Sequence, residues 1–183
     1  MKEVRQKPSV RHIAYIGLSA ALIAVCTWIA VPMPSNISFT MQTFAVCAIA
    51  GLLGWRQALA AVVVYLLLGI VGLPVFSGFR SGAGVLLGAT GGYLIGFLFM
   101  APCIGFLTEH FGKRMPVLIL SMLAGELLLY LFGTVWFVTV YTEGVGFSGA
   151  LMMCVVPYLL PDAAKIALAA VVVRRLEPYV KMN

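Results

Sequence analysis

Long apolar runs alternate along the chain with short breaks that are polar or rich in proline and glycine. An α-helix rises about 1.5 Å per residue, so about 20 apolar residues cross a hydrocarbon core of about 30 Å. The pattern predicts an all-α integral membrane protein that forms one domain over residues 1–183. Its six predicted membrane helices cover residues 13–31, 43–55, 58–73, 85–107, 116–141 and 151–173.

Aromatic and proline residues punctuate these runs. Trp55-Arg56-Gln57 separates the second run from the third, with an interfacial aromatic beside a positive charge. Pro102 predicts a kink in the fourth helix, because proline cannot donate the backbone hydrogen bond that a helix needs there. Pro157 and Pro161 predict a break in the first half of the sixth.

The stretch 69–97, between the third and fourth runs, is rich in glycine and holds a short polar turn with Ser77, Arg80 and Ser81. Irregular backbone at membrane depth is tolerated only where protein buries it or where it lines a cavity. We therefore predict that this stretch forms the wall of a pocket. The alternative is a helical hairpin that uses its glycines for close helix packing.

The composition excludes an ordinary soluble domain. Hydrophobic residues make up 62% of the chain and charged residues only 10%, whereas a soluble domain is about 25% charged. Four cysteines lie in apolar runs without a C-x-x-C pair, which favours buried packing and gives no support to metal or redox chemistry. We expect no cofactor, no metal site and no nucleic-acid partner.

The net charge of +6 is distributed unevenly. Six membrane crossings put both termini on one side, and basic residues concentrate there, which predicts cytoplasmic termini. The other side has only Arg80, and Lys165 lies within the sixth run. The basic residues on the predicted cytoplasmic side are Lys2, Arg5, Lys7, Arg11, Arg56, Lys113, Arg114, Arg174, Arg175 and Lys181.

Three ionisable residues at or within the apolar runs could carry function: Glu126, Asp162 and Lys165. Charged groups at this depth are costly and usually face a pathway, a ligand or each other. Asp162 and Lys165 share a helical face after Pro161 and form either a ligand clamp or a self-neutralising ion pair. Glu126 has no partner at helical spacing, so its role stays open between cavity lining, proton binding and structural pairing.

The sequence contains neither a G-K-[ST] phosphate loop nor a nucleophile–base arrangement, so we predict that the chain is not an enzyme. Any uphill transport would take its energy from a partner or from an ion gradient.

Three segments carry a family resemblance. GLPVFSGFRSGAGVLLGATGGYLIGF over 72–97 resembles the signature of the BioY family, the biotin-binding S-components of energy-coupling-factor (ECF) vitamin transporters. FTMQTFAV over 39–46 is similar to that family's start of the second span, and PYLLPDAAKIALAA over 157–170 is similar to its start of the last helix. Ala89 departs from the pattern, since the family often has proline there.

The resemblance implies a six-helix S-component-like bundle in the bacterial cytoplasmic membrane, with biotin bound near the outer face. It implies Asp162, Lys165 and the region of Arg80 as pocket residues. It also implies two kinds of partner, a transmembrane coupling subunit and a pair of ATPase subunits. The small residues of the first helix resemble the docking surface for the coupling subunit, here Ala14, Gly17, Ala20, Ala21 and Ala24.

Biotin combines an apolar bicycle, a ureido group and a carboxylate, so its site needs apolar walls and a few placed polar groups. Candidate aromatic walls are Phe39, Phe76, Phe79 and Tyr93. Lys165 or Arg80 could meet the carboxylate, while Asp162, Gln42 and Ser77 could address the ureido edge. The alternatives are another small vitamin as the ligand, and a biotin carrier that acts without ATPase subunits.

Overall fold

The computed structural model describes residues 10–33, 37–142 and 144–180. Lys2, Arg5, Lys7 and Lys181 of the predicted basic side lie outside these residues. Within them the backbone forms seven α-helices and a two-stranded antiparallel ribbon. The elements are α1 (Val10–Trp28), β1 (Ala30–Val31), β2 (Phe39–Thr40), α2 (Gln42–Leu53), α3 (Trp55–Val71), α4 (Gly91–Phe111), α5 (Met115–Trp136), α6 (Phe147–Cys154) and α7 (Leu159–Leu176).

Helix α2 lies at the centre of the bundle and contacts α1, α3, α4, α5 and α7. It is apolar on every side, as expected of a helix that other helices surround. Small residues such as Ala45 and Ala50, which have no exposed surface, let its neighbours approach closely. The remaining helices turn large apolar side chains outward, which suits contact with lipid chains rather than with water.

Among the described residues, four helical units are long and apolar enough to cross a membrane: Val10–Trp28, Gly91–Phe111, Met115–Tyr141 and Phe147–Leu176. Helices α2 and α3 are apolar but shorter. The mostly helical bundle predicted from the sequence is therefore confirmed, while the six crossings stay a prediction.

Several predicted boundaries need correction. The second run ends at Gly54, whose φ of +83° is a conformation that glycine adopts readily, and Trp55 already begins α3. The fourth helix begins at Gly91 rather than at residue 85, because residues 83–87 form a separate 3-10 turn. Helix α4 continues through Pro102.

The broken sixth helix appears as expected. Helix α6 ends at Cys154, and Val156–Tyr158 forms a 3-10 turn that contains Pro157. Helix α7 then begins at Leu159 with Pro161 in its first turn, where proline costs the helix no hydrogen bond. This break places Asp162 near the start of α7, next to the loops at one end of the bundle.

The two ends of the bundle differ in chemistry. At one end, Lys113 Nζ donates to the carbonyl of Leu52 at 2.8 Å and Arg174 donates to the carbonyl of Lys113 at 3.2 Å. Glu109 accepts a hydrogen bond from the backbone N–H of Trp55 at this same end, at 3.1 Å. The opposite end, which we call the loop end, holds the β-ribbon and the irregular segment 72–90.

Candidate functional site

A cavity at the loop end is partly enclosed by the bundle and partly open to solvent. Residues from five segments line it, at 37–43, 76–77, 90–97, 126–130 and 154–165. The glycine-rich stretch thus forms a loop that contributes to a cavity wall, and not a helical hairpin. The lining mixes aromatic and aliphatic side chains with a small number of polar ones, as is typical of small-molecule sites.

An ion pair between Asp162 and Lys165 forms one side of the cavity. Lys165 Nζ donates to Asp162 Oδ1 at 2.7 Å, to Thr43 Oγ1 at 3.1 Å and to the carbonyl of Thr40 at 2.5 Å. The other carboxylate oxygen, Asp162 Oδ2, accepts a hydrogen bond from the hydroxyl of Tyr130 at 2.6 Å. Internal partners therefore use all three protons of the ammonium and engage both oxygens of the carboxylate.

Local structure explains why these partners meet. Thr40 ends strand β2, and its carbonyl points to Lys165 because the ribbon is held against the start of α2. The ring of Phe39, on the same strand, lies 3.7 Å from Lys165 Nζ in a cation–π contact. These contacts compensate much of the cost of burying the ammonium group.

Two aromatic side chains shape the walls of the cavity. Phe76 is 1% exposed and packs edge-on against Tyr65 at a ring distance of 5.6 Å. Tyr93 fits against Gly133 of α5, where a Cβ atom would lie 2.3 Å from the ring. The hydroxyl of Tyr93 donates to the carbonyl of Cys154 at 3.1 Å and so ties α4 to the end of α6.

Three lining residues present polar atoms that have no hydrogen-bond partner within the described part of the chain. These atoms are Nε2 of Gln42, Oγ of Ser77 and both carboxyl oxygens of Glu126. Buried polar groups in folded proteins are almost always paired, so a cluster of unpaired ones around a cavity indicates polar ligand contacts.

The structure brings together most of the predicted site residues. Asp162, Lys165, Gln42, Ser77 and Tyr93 all line the cavity, as do Phe39 and Phe76 from the candidate walls.

Two predicted residues lie elsewhere. Phe79 is 62% exposed and stacks on Trp28 at 5.2 Å, because the turn at 77–79 directs its ring outward. Arg80 donates from Nε to the carbonyl of Ser77 at 3.1 Å. Its side chain lines a second, more polar cavity that shares Ser38 and Thr90 with the first.

The predicted docking surface on α1 divides between two faces. Ala14, Gly17 and Ala21 are exposed, whereas Ala20 is 1% and Ala24 is 6% exposed. The Ala20/Ala24 repeat therefore packs inside the bundle and is removed from the docking surface, because residues four apart share one helical face.

Sequence reasoning did not find Thr43 and Tyr130 as partners of Asp162. One signal was available, since Tyr130 lies four residues after Glu126 and both therefore face the same side of α5. No group of three or more His, Cys, Asp or Glu side chains in residues 10–33, 37–142 and 144–180 could hold a metal ion.

The fold and the cavity define a helical membrane protein with a partly enclosed cavity between its helices. The BioY family model matches residues 1–182, and the chain belongs to this family. It is 37% identical to the "Biotin transporter BioY" of Thermotoga maritima over 92% of the chain and 96% of that relative. It is 36% identical to "Biotin transporter BioY2" of Lactococcus lactis over 91% of the chain and 90% of that relative.

A solved structure has the same fold. The crystal structure of the S-component for biotin from an ECF-type ABC transporter superposes with a TM-score of 0.84 at 25% sequence identity. The match covers 97% of this chain and 95% of that one. The S-component fold expected from the sequence is thereby confirmed.

Proposed function

We propose that this protein is the biotin-binding membrane subunit, the S-component, of a biotin uptake system. Membership of the BioY family and the likeness to a biotin S-component support the transport function and the ligand. The observation that carries the proposal is the cavity itself, in which apolar walls surround the unpartnered polar atoms of Gln42, Ser77 and Glu126.

The chemistry of the lining suits the three parts of biotin. The rings of Phe76 and Tyr93 offer apolar surface to the bicycle and the aliphatic chain. The unpartnered amide nitrogen of Gln42 and hydroxyl of Ser77 can address the ureido edge, which both donates and accepts hydrogen bonds. Arg80 lines the adjoining polar cavity and is the better candidate for the carboxylate, because internal acceptors already engage Lys165.

The same proposal includes partners that energise uptake. A transmembrane coupling subunit and two ATPase subunits would supply the energy, since the sequence contains no phosphate-binding loop of its own. The exposed face of α1 formed by Ala14, Gly17 and Ala21 is the proposed docking surface. The basic end of the bundle would face the cytoplasm of a bacterial cell and the cavity would open outward.

Calorimetric titration of the purified protein in lipid nanodiscs tests the proposed ligand. We expect saturable binding of one biotin per chain and no binding of thiamine or riboflavin. Preference for either of those vitamins would assign the chain to another ligand. Copurification with ATPase subunits from cells that express a complete transporter would exclude a carrier that works alone.

A further inference from the structure

Glu126 differs from Asp162 and Lys165 in making no hydrogen bond of good geometry to any described residue. It is 4% exposed, and neither of its carboxyl oxygens has a hydrogen-bond partner among the described residues. Its charged neighbours are Asp162, whose carboxyl group is near enough to interact with that of Glu126, and Lys165, but those two groups are hydrogen-bonded to each other and make no bond of good geometry to Glu126. A buried carboxyl group without hydrogen bonds is strongly disfavoured unless something outside the chain satisfies it.

The position of Glu126 places it at the inner end of the cavity. Helix α5 begins at the basic end and runs toward the loop end, and its lining residues are Glu126, Leu129 and Tyr130. At a rise of about 1.5 Å per residue, Glu126 lies about 6 Å deeper than Tyr130. The rim, where the cavity adjoins the polar cavity of Arg80, is the opposite end.

The chemistry at this inner end selects one part of the ligand. Glu126 and Asp162 both present carboxyl groups to this part of the cavity, so a further carboxylate buried there is disfavoured and the acidic tail of a ligand is directed elsewhere. N–H groups are the natural partners of carboxyl oxygens. Asp162 is less available for this role because Lys165, Thr43 and Tyr130 already contact its oxygens.

We infer that Glu126 is a direct ligand-binding residue, whose carboxyl group accepts hydrogen bonds from the N–H groups of the ligand's ureido ring. The ligand then lies with its ring at the inner end and its carboxylate toward Arg80. This inference rests on the proposed function, since it takes biotin as the ligand. It gives a ligand-binding role to a residue that helical spacing alone left unassigned.

Calorimetry on Glu126→Leu with three ligands tests the inference. Biotin should bind about ten- to a hundredfold more weakly than to the unchanged protein, as expected when N–H donors that are buried with the ligand lose their acceptor. Biotin with its carboxylate converted to an amide should lose affinity by the same factor. Biotin methylated on the ureido nitrogens should bind Glu126→Leu almost as well as it binds the unchanged protein. Methylation already removes the N–H group that would donate to Glu126.

Thermal unfolding of the ligand-free protein separates this role from a structural one. Glu126→Leu should leave the melting temperature unchanged or raise it, because it removes a buried carboxyl group that makes no hydrogen bond of good geometry to the described residues and lies beside the carboxyl group of Asp162. A lower melting temperature together with equal losses for all three ligands would show that Glu126 supports the fold, and would overturn the inference.

Two further variants complete the design. Ser121→Ala removes another buried polar group of α5 that does not line the cavity, and it should leave biotin binding unchanged. Glu126→Gln keeps one acceptor oxygen. If Glu126→Leu fails to fold, the same three ligands are compared on Glu126→Gln instead. Unchanged biotin affinity in both Glu126 variants would overturn the role of Glu126 alone, whereas failure of the unchanged protein to bind biotin would overturn the proposed function with it.

Discussion

The ammonium of Lys165 lies 2.7 Å from Oδ1 of Asp162, which precedes it by three residues on α7, and the two side chains are only 7% and 6% exposed. The pair is neutral as a unit, and its remaining hydrogen-bonding capacity is directed to Thr40, Thr43 and Tyr130. It therefore closes one wall of the cavity and joins α7 to α2, α5 and the β-ribbon.

Breaking this pair from one side should destabilise the protein strongly. Asp162→Ala or Lys165→Met leaves a buried charge without its partner, which costs about 3–5 kcal/mol. The double variant Asp162→Asn/Lys165→Met should recover much of that loss, because no net charge then remains unpaired. Thermal unfolding of the four proteins in the same detergent measures the effect.

An exposed pair provides the matched control. Arg174 and Glu177 have the same spacing and an N–O distance of 2.9 Å, but their side chains are 48% and 36% exposed. Glu177→Gln should cost at most about 1 kcal/mol of stability, because solvent screens such pairs.

Biotin binding, measured on the same variants, separates a structural role of the buried pair from a role in ligand binding. Full recovery of binding in the double variant assigns it to structure, whereas recovered stability without binding would make it part of the ligand site.

The sequence was sufficient for predictions that concern a single helix. Spacing along one helix was enough to place Asp162 and Lys165 on one face, and the prolines at 157 and 161 predicted the break before α7. Contacts between different helices were harder to predict. In an almost wholly apolar chain, too few polar residues show which face of each helix points into the bundle. Tyr130 on α5 donates a hydrogen bond to Asp162 on α7, and Glu126 lines the same cavity, but spacing within a single helix predicts neither arrangement.

The irregular segment shows a second limit. Phe76 and Phe79 are three residues apart and chemically equivalent, yet one is buried in the cavity wall and the other stacks outside on Trp28. The difference arises from the turn between them, in which Gly78 and Phe79 have positive φ angles of 69° and 57°. Loop residues have no fixed periodicity, so composition alone could not assign these two rings.

The wall residue Phe76 depends on a glycine in α3. A Cβ atom at Gly69 would lie 2.1 Å from the ring of Phe76, so Gly69→Ala forces the ring to move. We expect weaker biotin binding and lower stability, although alanine is the better helix former by about 1 kcal/mol. Calorimetry and thermal unfolding measure the two effects.

Gly84→Ala is the control for this change. A Cβ atom at Gly84 would meet nothing within 4 Å, and its backbone does not require glycine. This variant should bind biotin as the unchanged protein does. Equal behaviour of the two variants would show that the position of Phe76 does not determine affinity.

The two faces of α1 make separate predictions about coupling. Ala21 is exposed, so Ala21→Trp should leave biotin binding intact and prevent copurification with the proposed coupling subunit. Ala20 is 1% exposed, so Ala20→Trp should overpack the bundle and cost about 1–3 kcal/mol or more of stability. Normal assembly of Ala21→Trp would remove this face of α1 from the docking surface.

The orientation of the bundle is tested by labelling from outside the cell. In a background without the four native cysteines, Ser81→Cys lies on the exposed part of the loop end, and Arg114→Cys lies at the basic end. Because basic residues are retained on the cytoplasmic side, a membrane-impermeant maleimide should label residue 81 in intact cells and residue 114 only after permeabilisation. The reverse pattern would place the cavity on the cytoplasmic side, and a ligand taken up from outside could not then reach it directly.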